Sequence, residues 1–251
     1  MPTVLITGCS SGYGLETARR FHAEGWQVIA SMRTPREDVL PRGPRLRVLA
    51  LDVTRADSVA AAIAECGPID VLVNNAGVGL FGALEATSMS AARAVFETNT
   101  FGVIAMTRAV VPQMRARRSG VIVNVTSSAV LTPMPLVAVY TASKLAVEGF
   151  TASLAHELAE FDVAVKLVQP GYGPGTAFAS HTPDLADMIP EAYAPLAQRA
   201  FAGLGELTAV TTAADVAAVV VEAASDRSGR LRFPAGPDAV ALAQAARRAQ
   251  D

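Results

Sequence analysis

Thr3-Val4-Leu5-Ile6-Thr7-Gly8-Cys9-Ser10-Ser11-Gly12-Tyr13-Gly14 stands near the start of the chain and decides how the rest is read. A β-branched apolar run gives way to spaced glycines, and a helix-forming stretch, Leu15–Glu24, follows directly. The order strand, glycine turn, helix carries more than the glycines themselves, because a helix N-terminus presents free N–H groups to an anion. Gly8 permits a tight turn, Gly12 lets the backbone approach a pyrophosphate, and Gly14 allows close helix packing. A dinucleotide fits this geometry, with Ser10, Ser11 and Tyr13 completing the loop that holds it. The same glycines also serve any tight strand-to-helix turn, so other features must decide between the two readings.

Working outward, short β-branched runs alternate with longer Ala-rich stretches as far as about residue 170, which predicts a parallel sheet with crossover helices. The expected strands are Val4–Thr7, Gln27–Met32, Arg47–Leu51, Val71–Asn74, Val121–Val125, Ala164–Gln169 and Leu231–Phe233. Seven strands with helices on both faces make one α/β domain of the doubly wound Rossmann type over residues 1–251. Gly25 is expected to end the first helix and Gly67-Pro68 the third. Thr54 and Asp57 are expected to cap the helix through Ala60, which leaves Asp52 at the carboxyl end of a strand. From Gly171 to about residue 207 the pattern loosens, with weak helical spacing around Met188–Leu204. That segment is either a flap over a site or a structural turn.

The 251 residues are 51% hydrophobic and 18% charged, with a mean hydropathy of +0.33, which suits a sheet buried on both faces. A formal net charge of -2 gives no general attraction to nucleic acid or anionic lipid. Cys9 and Cys66 show no metal-ligand spacing and read as free thiols, so no metal is expected. The first strand begins almost at the initiator and leaves no room for a signal peptide, and Asp215 and Glu222 interrupt the apolar stretch from Ala209 to Ala224. A cytoplasmic protein without a membrane span is the expectation.

The end of the second strand, Ala30-Ser31-Met32-Arg33, lacks the acid that would bond a ribose 2′-hydroxyl, and Glu37 and Asp38 come too late after Pro35. Arg33 can instead pair with a 2′-phosphate, so NADP(H) is favoured and NAD(H) stays open. Arg33 as a solvated surface charge is the plainer alternative. Farther on, Tyr140-Thr141-Ala142-Ser143-Lys144 places Tyr140 and Lys144 four apart on one helix face, thirteen residues after Ser127. A nearby ammonium favours the phenolate and lowers the tyrosine pKa, so Lys144 can make Tyr140 an acid/base at neutral pH. Ser127 can donate to a substrate oxygen on which charge develops. An ordinary Tyr/Lys pair on an amphipathic helix is the bland reading, which the placement of Ser127 weighs against.

These features together resemble the short-chain dehydrogenase/reductase family, over most of the chain. The T-G-x-x-x-G-x-G loop at Thr7–Gly14, N-N-A-G at Asn74–Gly77, the Asn of Glu97-Thr98-Asn99-Thr100, Ser127, and Y-x-x-x-K at Tyr140–Lys144 occur in the family's order. The resemblance implies a tetrad of Asn99, Ser127, Tyr140 and Lys144. In it, Tyr140 gives a proton during reduction, Lys144 bonds the nicotinamide ribose, and Asn99 holds a relay water. It also implies that Asp52 and Val53 contact the adenine and that Asn75, Ala76 and Gly77 lie beside the adenosine ribose. Asn75 and Asn99 can equally satisfy backbone groups. Family members commonly hold the carboxamide with P-G-x-x-x-T. Here Pro170 and Gly171 match, but Gly171-Tyr172-Gly173-Pro174-Gly175-Thr176 carries one additional residue before Thr176.

The implied reaction is hydride transfer between the nicotinamide and a carbonyl or alcohol. Candidate pocket segments Ala129–Val137, Tyr172–Thr182 and Met188–Leu204 are rich in apolar residues, which suggests a mainly apolar ketone or secondary alcohol unless that apolarity is core packing. The segment Leu231–Asp238 looks similar to hydroxysteroid-dehydrogenase-like members; steroid, retinoid, polyketide and small aromatic ketones all remain open. A dinucleotide-binding redox sensor without turnover is the alternative from another class, and the intact tetrad argues against it. The family's mode of association implies a homodimer or homotetramer through helices at about Ala91–Arg117 and Ala138–Glu160.

Overall fold

The computed structural model describes residues 1–174, 188–205 and 209–248. Seven parallel strands form one sheet: β1 (Thr3–Thr7), β2 (Gln27–Met32), β3 (Leu46–Ala50), β4 (Val71–Asn74), β5 (Gly120–Val125), β6 (Val163–Pro170) and β7 (Arg232–Ala235). Their order is β3-β2-β1-β4-β5-β6-β7. The chain runs outward from β1 through β2 to β3, then returns to β4 on the other side of β1. The carboxyl ends of β1 and β4 therefore flank a crevice where the winding reverses, the place at which such sheets bind ligands.

Alternation along each strand supplies both cores. On one face Val4, Ile6, Val28, Ala30, Val73, Val123 and Phe233 pack under helices α1 (Gly12–Ala23) and, later in the chain, α7 (Ala213–Ser225). On the other, Leu5, Ile29, Leu72, Ile122 and Val165 meet α2 (Ala56–Cys66), α4 (Gly102–Arg117) and α5 (Ala138–Ala159). A Val, Leu or Ile taken fully out of water contributes about 1.5–3 kcal/mol, and both faces are lined with such residues. Helix α1 buries Gly14, Thr17, Ala18 and Phe21, the i, i+3, i+4, i+7 stripe of an amphipathic helix. Gly25, at φ +90°, turns the chain after it into β2. Helix α7 begins with a reciprocal cap: Thr212 Oγ1 accepts from the Asp215 N–H at 3.1 Å, and the Asp215 carboxylate accepts from the Thr212 N–H at 2.9 Å.

The expected seven-stranded doubly wound sheet is the observed one. β3 begins one residue earlier than expected, and β7 starts at Arg232 instead of Leu231. The helix closed by Gly67, at φ +69°, is the second α-helix, because the chain between β2 and β3 forms only a 3-10 turn at Glu37–Val39. Thr54 does not cap that helix. Its hydroxyl donates to Asp52 Oδ1 at 2.7 Å, and Arg55 takes the N-cap position, paired with Asp57 at 2.6 Å. The long helix expected over 91–117 is broken: α3 (Met89–Phe96) passes into a π-turn at Glu97–Phe101, where the Gly102 N–H reaches the Glu97 carbonyl, before α4 begins. Two further helices, α6 (Ala194–Gly205) and α8 (Pro237–Arg248), are described beyond β6. No described helix is long and apolar enough to cross a membrane.

Candidate active site

β1 ends by delivering Gly8 at φ +76°, where a side chain would be strained and its Cβ would lie 2.8 Å from the Ala76 Cα. Gly14 is tighter still: a Cβ there would fall 2.3 Å from the Gly8 carbonyl oxygen. What fixes the loop comes from β4. The Asn75 side-chain amide donates to the carbonyls of Thr7 (2.9 Å) and Gly8 (3.2 Å), while the Thr7 hydroxyl accepts the N–H groups of Asn75 and Ala76, both at 3.0 Å. Ser11 precedes α1 without a side-chain cap, so the helix presents its first amides to an anion.

Beside this loop lies a cavity of about 600 Å³. Gly8, Ser10, Ser11, Gly12 and Tyr13 line it from the phosphate loop, Arg33 from the end of β2, Asp52 and Val53 from beyond β3, and Asn75, Ala76 and Gly77 from beyond β4. Gly14 packs beneath the loop instead. Its length, its glycine backbone and its position over the β1/β4 crevice fit a dinucleotide. Asp52 accepts two hydrogen bonds from Thr54, which hold its carboxyl below the usual range with help from the charges of Arg33 and Arg55. Val53 is seated against Gly102, where a Cβ would come within 2.7 Å of Val53 Cγ2. Sequence reasoning missed the walls formed by Met32, Leu51, Thr54, Val78, Ala94, Glu97 and Thr98. Ala94, Glu97 and Thr98 belong to the α3 and π-turn segment, which carries no motif of its own.

The tetrad residues gather past Gly77, whose open side faces Asn99 Oδ1 and Lys144 Nζ; a Cβ on Gly77 would be 3.3 and 3.4 Å from them. Lys144 is 4% exposed, donates to the Val125 carbonyl at 3.1 Å, and lies 6.0 Å from the Tyr140 ring centre. Burial alone brings its pKa down to about 8. Tyr140 is pushed up to about 12 by burial, and the hydrogen-bonded Ser127 hydroxyl pulls it partway back. Ser127 Oγ also accepts the Ala129 N–H at 3.2 Å. The expected lowering of Tyr140 by the ammonium is thus not realised here: desolvation outweighs a cation that is itself desolvated and turned to a carbonyl.

Asn99 is fully buried in the π-turn. Its Oδ1 accepts the Val78 N–H at 2.8 Å, and its Nδ2 donates to the Val78 carbonyl at 2.9 Å and to Ser143 Oγ at 3.1 Å. The side chain is therefore occupied in locking the β4 loop to α5. Asn75 likewise satisfies backbone groups while lining the cavity.

A second buried hub lies one turn beyond Lys144. Glu148 accepts from Thr126 Oγ1 and Gln169 Nε2, both at 3.0 Å, and pairs with Arg232 at 3.0 Å, tying α5 to the ends of β5, β6 and β7. A lone glutamate four residues after Lys144 is the signal that could have found it. The loop after β6 is tied as firmly. The Gly171 N–H donates to the Ala235 carbonyl at 3.0 Å, and the Tyr172 N–H to Asp238 Oδ2 at 2.6 Å. The Thr211 hydroxyl donates to Asp238 Oδ1 at 2.5 Å. These bonds hold residues 171–173, the head of the expected flap, to β7 and the helix after it. Thr176 and the parts of the expected 171–207 flap at 175–187 and 206–207 lie outside the described residues. Cys9 and Cys66 are buried free thiols, pushed by burial up to about 12 and about 11.

Known proteins resemble this chain in sequence and in fold. The profile of the family described as short chain dehydrogenase matches residues 2–184. Retinol dehydrogenase 8 of Bos taurus is 39% identical over 246 residues, covering 88% of this chain and 77% of that protein. Several other curated relatives are matched over about half to two thirds of their own length. Among solved structures, the closed form of serine dehydrogenase complexed with NADP+ superposes with a TM-score of 0.78 at 28% identity, covering 94% of each chain. A short chain dehydrogenase/reductase from Burkholderia phymatum in complex with NAD also gives 0.78 at 28% identity, covering 98% of this chain and 92% of that one. With the phosphate loop, the β1/β4 crevice and the Ser127, Tyr140 and Lys144 cluster in one place, the chain belongs to the short-chain dehydrogenase/reductase family, oxidoreductases that pass a hydride between a nicotinamide dinucleotide and an alcohol or ketone.

Proposed function

We propose that the protein is an NADP(H)-dependent reductase of mainly apolar ketones, or in reverse a dehydrogenase of the corresponding secondary alcohols, with Tyr140 as acid/base. The observation that carries this reading is the meeting of the Tyr140 and Ser127 hydroxyls in front of a buried Lys144. A bound nicotinamide supplies or accepts the hydride. Ser127 donates to the carbonyl oxygen, and Tyr140, which keeps its proton well above neutral pH, passes that proton to the oxygen as it becomes an alkoxide. Lys144 spends one of its three donors on Val125, which leaves two for the ribose and for the charge left on Tyr140. Asn99 acts by holding Val78 and Ser143 in place, with its main-chain carbonyl for the relay water. Pro170 and Gly171 face the carboxamide with backbone groups.

Arg33 supports the choice of NADP(H): it borders the cavity that Ser10 and Ser11 also line, and β2, which ends just before it, carries no acid. Tyr140 shares one apolar cluster with Leu80, Val95, Ala129 and Met188, flanked by Val78, Val137 and Val139, walls that cannot compensate a desolvated charge. Half-exposed Phe101 and Leu145, on the π-turn and α5, support association of copies through these helices as a homodimer or homotetramer. One domain and a cytoplasmic location complete the reading. The test is nicotinamide absorbance with both dinucleotides against a panel of ketones, aldehydes and alcohols. Turnover preferring NADPH and apolar ketones is expected; turnover of highly charged substrates alone would defeat the apolar site, and NADH preference the Arg33 assignment.

A further inference from the structure

Tyr13 stands where the phosphate loop needs a backbone N–H and nothing in that role calls for a phenol. Its ring packs against the core face under α1 and α7, and its hydroxyl reaches the chain leaving β6. A Cβ built on Gly173 would lie 2.0 Å from the Tyr13 hydroxyl oxygen, 3.0 Å from Cζ and 3.4 Å from the Thr211 carbonyl oxygen. No left-handed torsion explains this glycine, so space does. Asp238 and Thr211 hold the same loop from its outer side, at Tyr172 and Gly171, where a Cβ would meet Asp238 Oδ1 at 2.1 Å. Burial raises the Tyr13 pKa, and Tyr140, Asp238 and Asp215 raise it further, so the phenol is neutral and shares its surroundings with the catalytic tyrosine.

We propose that Tyr13 is a positioning residue, a strut matched to the missing side chain at Gly173, which sets the distance between the phosphate loop and the Pro170–Gly173 backbone. A cofactor lying between those two segments is gripped at the spacing the phenol dictates. The additional residue before Thr176 and the glycine at 173 are then the counterpart of a tyrosine between Gly12 and Gly14. The proposal rests on the dinucleotide reading above.

A three-background substitution cycle tests it, with NADPH and NADH Kd measured by titration and folding checked by thermal melting. Gly173→Ala weakens binding about tenfold or more beside Tyr13, because the new methyl must push the phenol or the loop. In the Tyr13→Ala background the same change costs less than about threefold, and beside Tyr13→Phe an intermediate amount, since Cζ stays close. If Gly173→Ala alone does not fold, recovery of folding and binding in the Tyr13→Ala double variant supports the strut. An equal cost in all three backgrounds, wild-type affinity in Gly173→Ala, or a double variant that also fails to fold overturns it. Wild-type protein that binds neither dinucleotide overturns the functional reading as well.

Discussion

The phosphate-loop end and the tyrosine end of the site are built from different materials. At the first, the ligand-facing groups are largely backbone. Glycines are forced by contact with Ala76 and Asn75, and the hydroxyl of Thr7 and amide of Asn75 serve to fix that backbone. At the second, buried side chains do both jobs: Lys144, Asn99 and Ser143 converge with Tyr140, and behind them Glu148 joins three strand ends. A backbone cradle costs little desolvation and stays open, so exposed Arg33 borders it. A side-chain cluster excludes water, which shifts its pKa values and strengthens its electrostatics. On the function proposed above, affinity and cofactor choice belong to the first end, and rate to the second.

The sharpest way to break that division is Tyr140→Phe. Loss of the proton donor lowers kcat by about a thousandfold while the cofactor Kd stays within about threefold, because no cradle contact is touched; a parallel loss of affinity would show the two ends to be one unit. Glu148→Ala follows, expected to cost about 2 kcal/mol in urea unfolding, since Thr126, Gln169 and Arg232 lose a charged acceptor. A change under about 0.5 kcal/mol would mean the tyrosine end does not depend on its buried network.

Titration separates the ends more finely. Lys144 has its pKa lowered to about 8, so it is an ammonium below that value and neutral above it. Tyr140, raised to about 12, keeps its proton throughout. The kcat for ketone reduction falls about tenfold from pH 7 to pH 9, while cofactor Kd changes little; a flat rate profile would deny Lys144 its role. The smallest effect is at the cradle. Arg33→Ala shifts the NADPH-to-NADH preference by about fivefold toward NADH with kcat unchanged, the size expected of an exposed charge contact. A kcat loss instead would place Arg33 outside the cradle's division of labour.

Much of this was legible because it is local. β-branched runs such as Val71–Asn74 fold as strands, and the glycine spacing and the Tyr140/Lys144 pair report geometry within a few residues. The π-turn was hidden because Phe96-Glu97-Thr98-Asn99-Thr100-Phe101 continues a helical pattern, and only its contacts with Val78 and Ser143 select the wider turn. Thr54 was misread because Asp52, two residues back, competes for its hydroxyl. Asp238 and Gly173 acquire their meaning from Tyr172 and Tyr13, across 66 and 160 intervening steps of chain, which no local pattern carries. The tyrosine pKa was misjudged for a similar reason: two residues on one helix face announce proximity, but the burial that desolvates both comes from the rest of the fold.

The π-turn also constrains how this sequence can change. Glu97 and Thr98 look into the cavity, while the next two residues, Asn99 and Thr100, are buried against the neighbouring segments, with the Thr100 hydroxyl on the Ser143 carbonyl at 3.0 Å. One rod serves two clients because the wide turn slips its phase by a residue. Deleting a single residue between 97 and 101 would close the wide turn to an even helix, which could no longer turn Glu97 and Thr98 to the cavity while burying Asn99 on Val78 and Thr100 on Ser143. In this stretch the number of residues matters as well as their kind, because the wide turn lasts only as long as its extra residue is there.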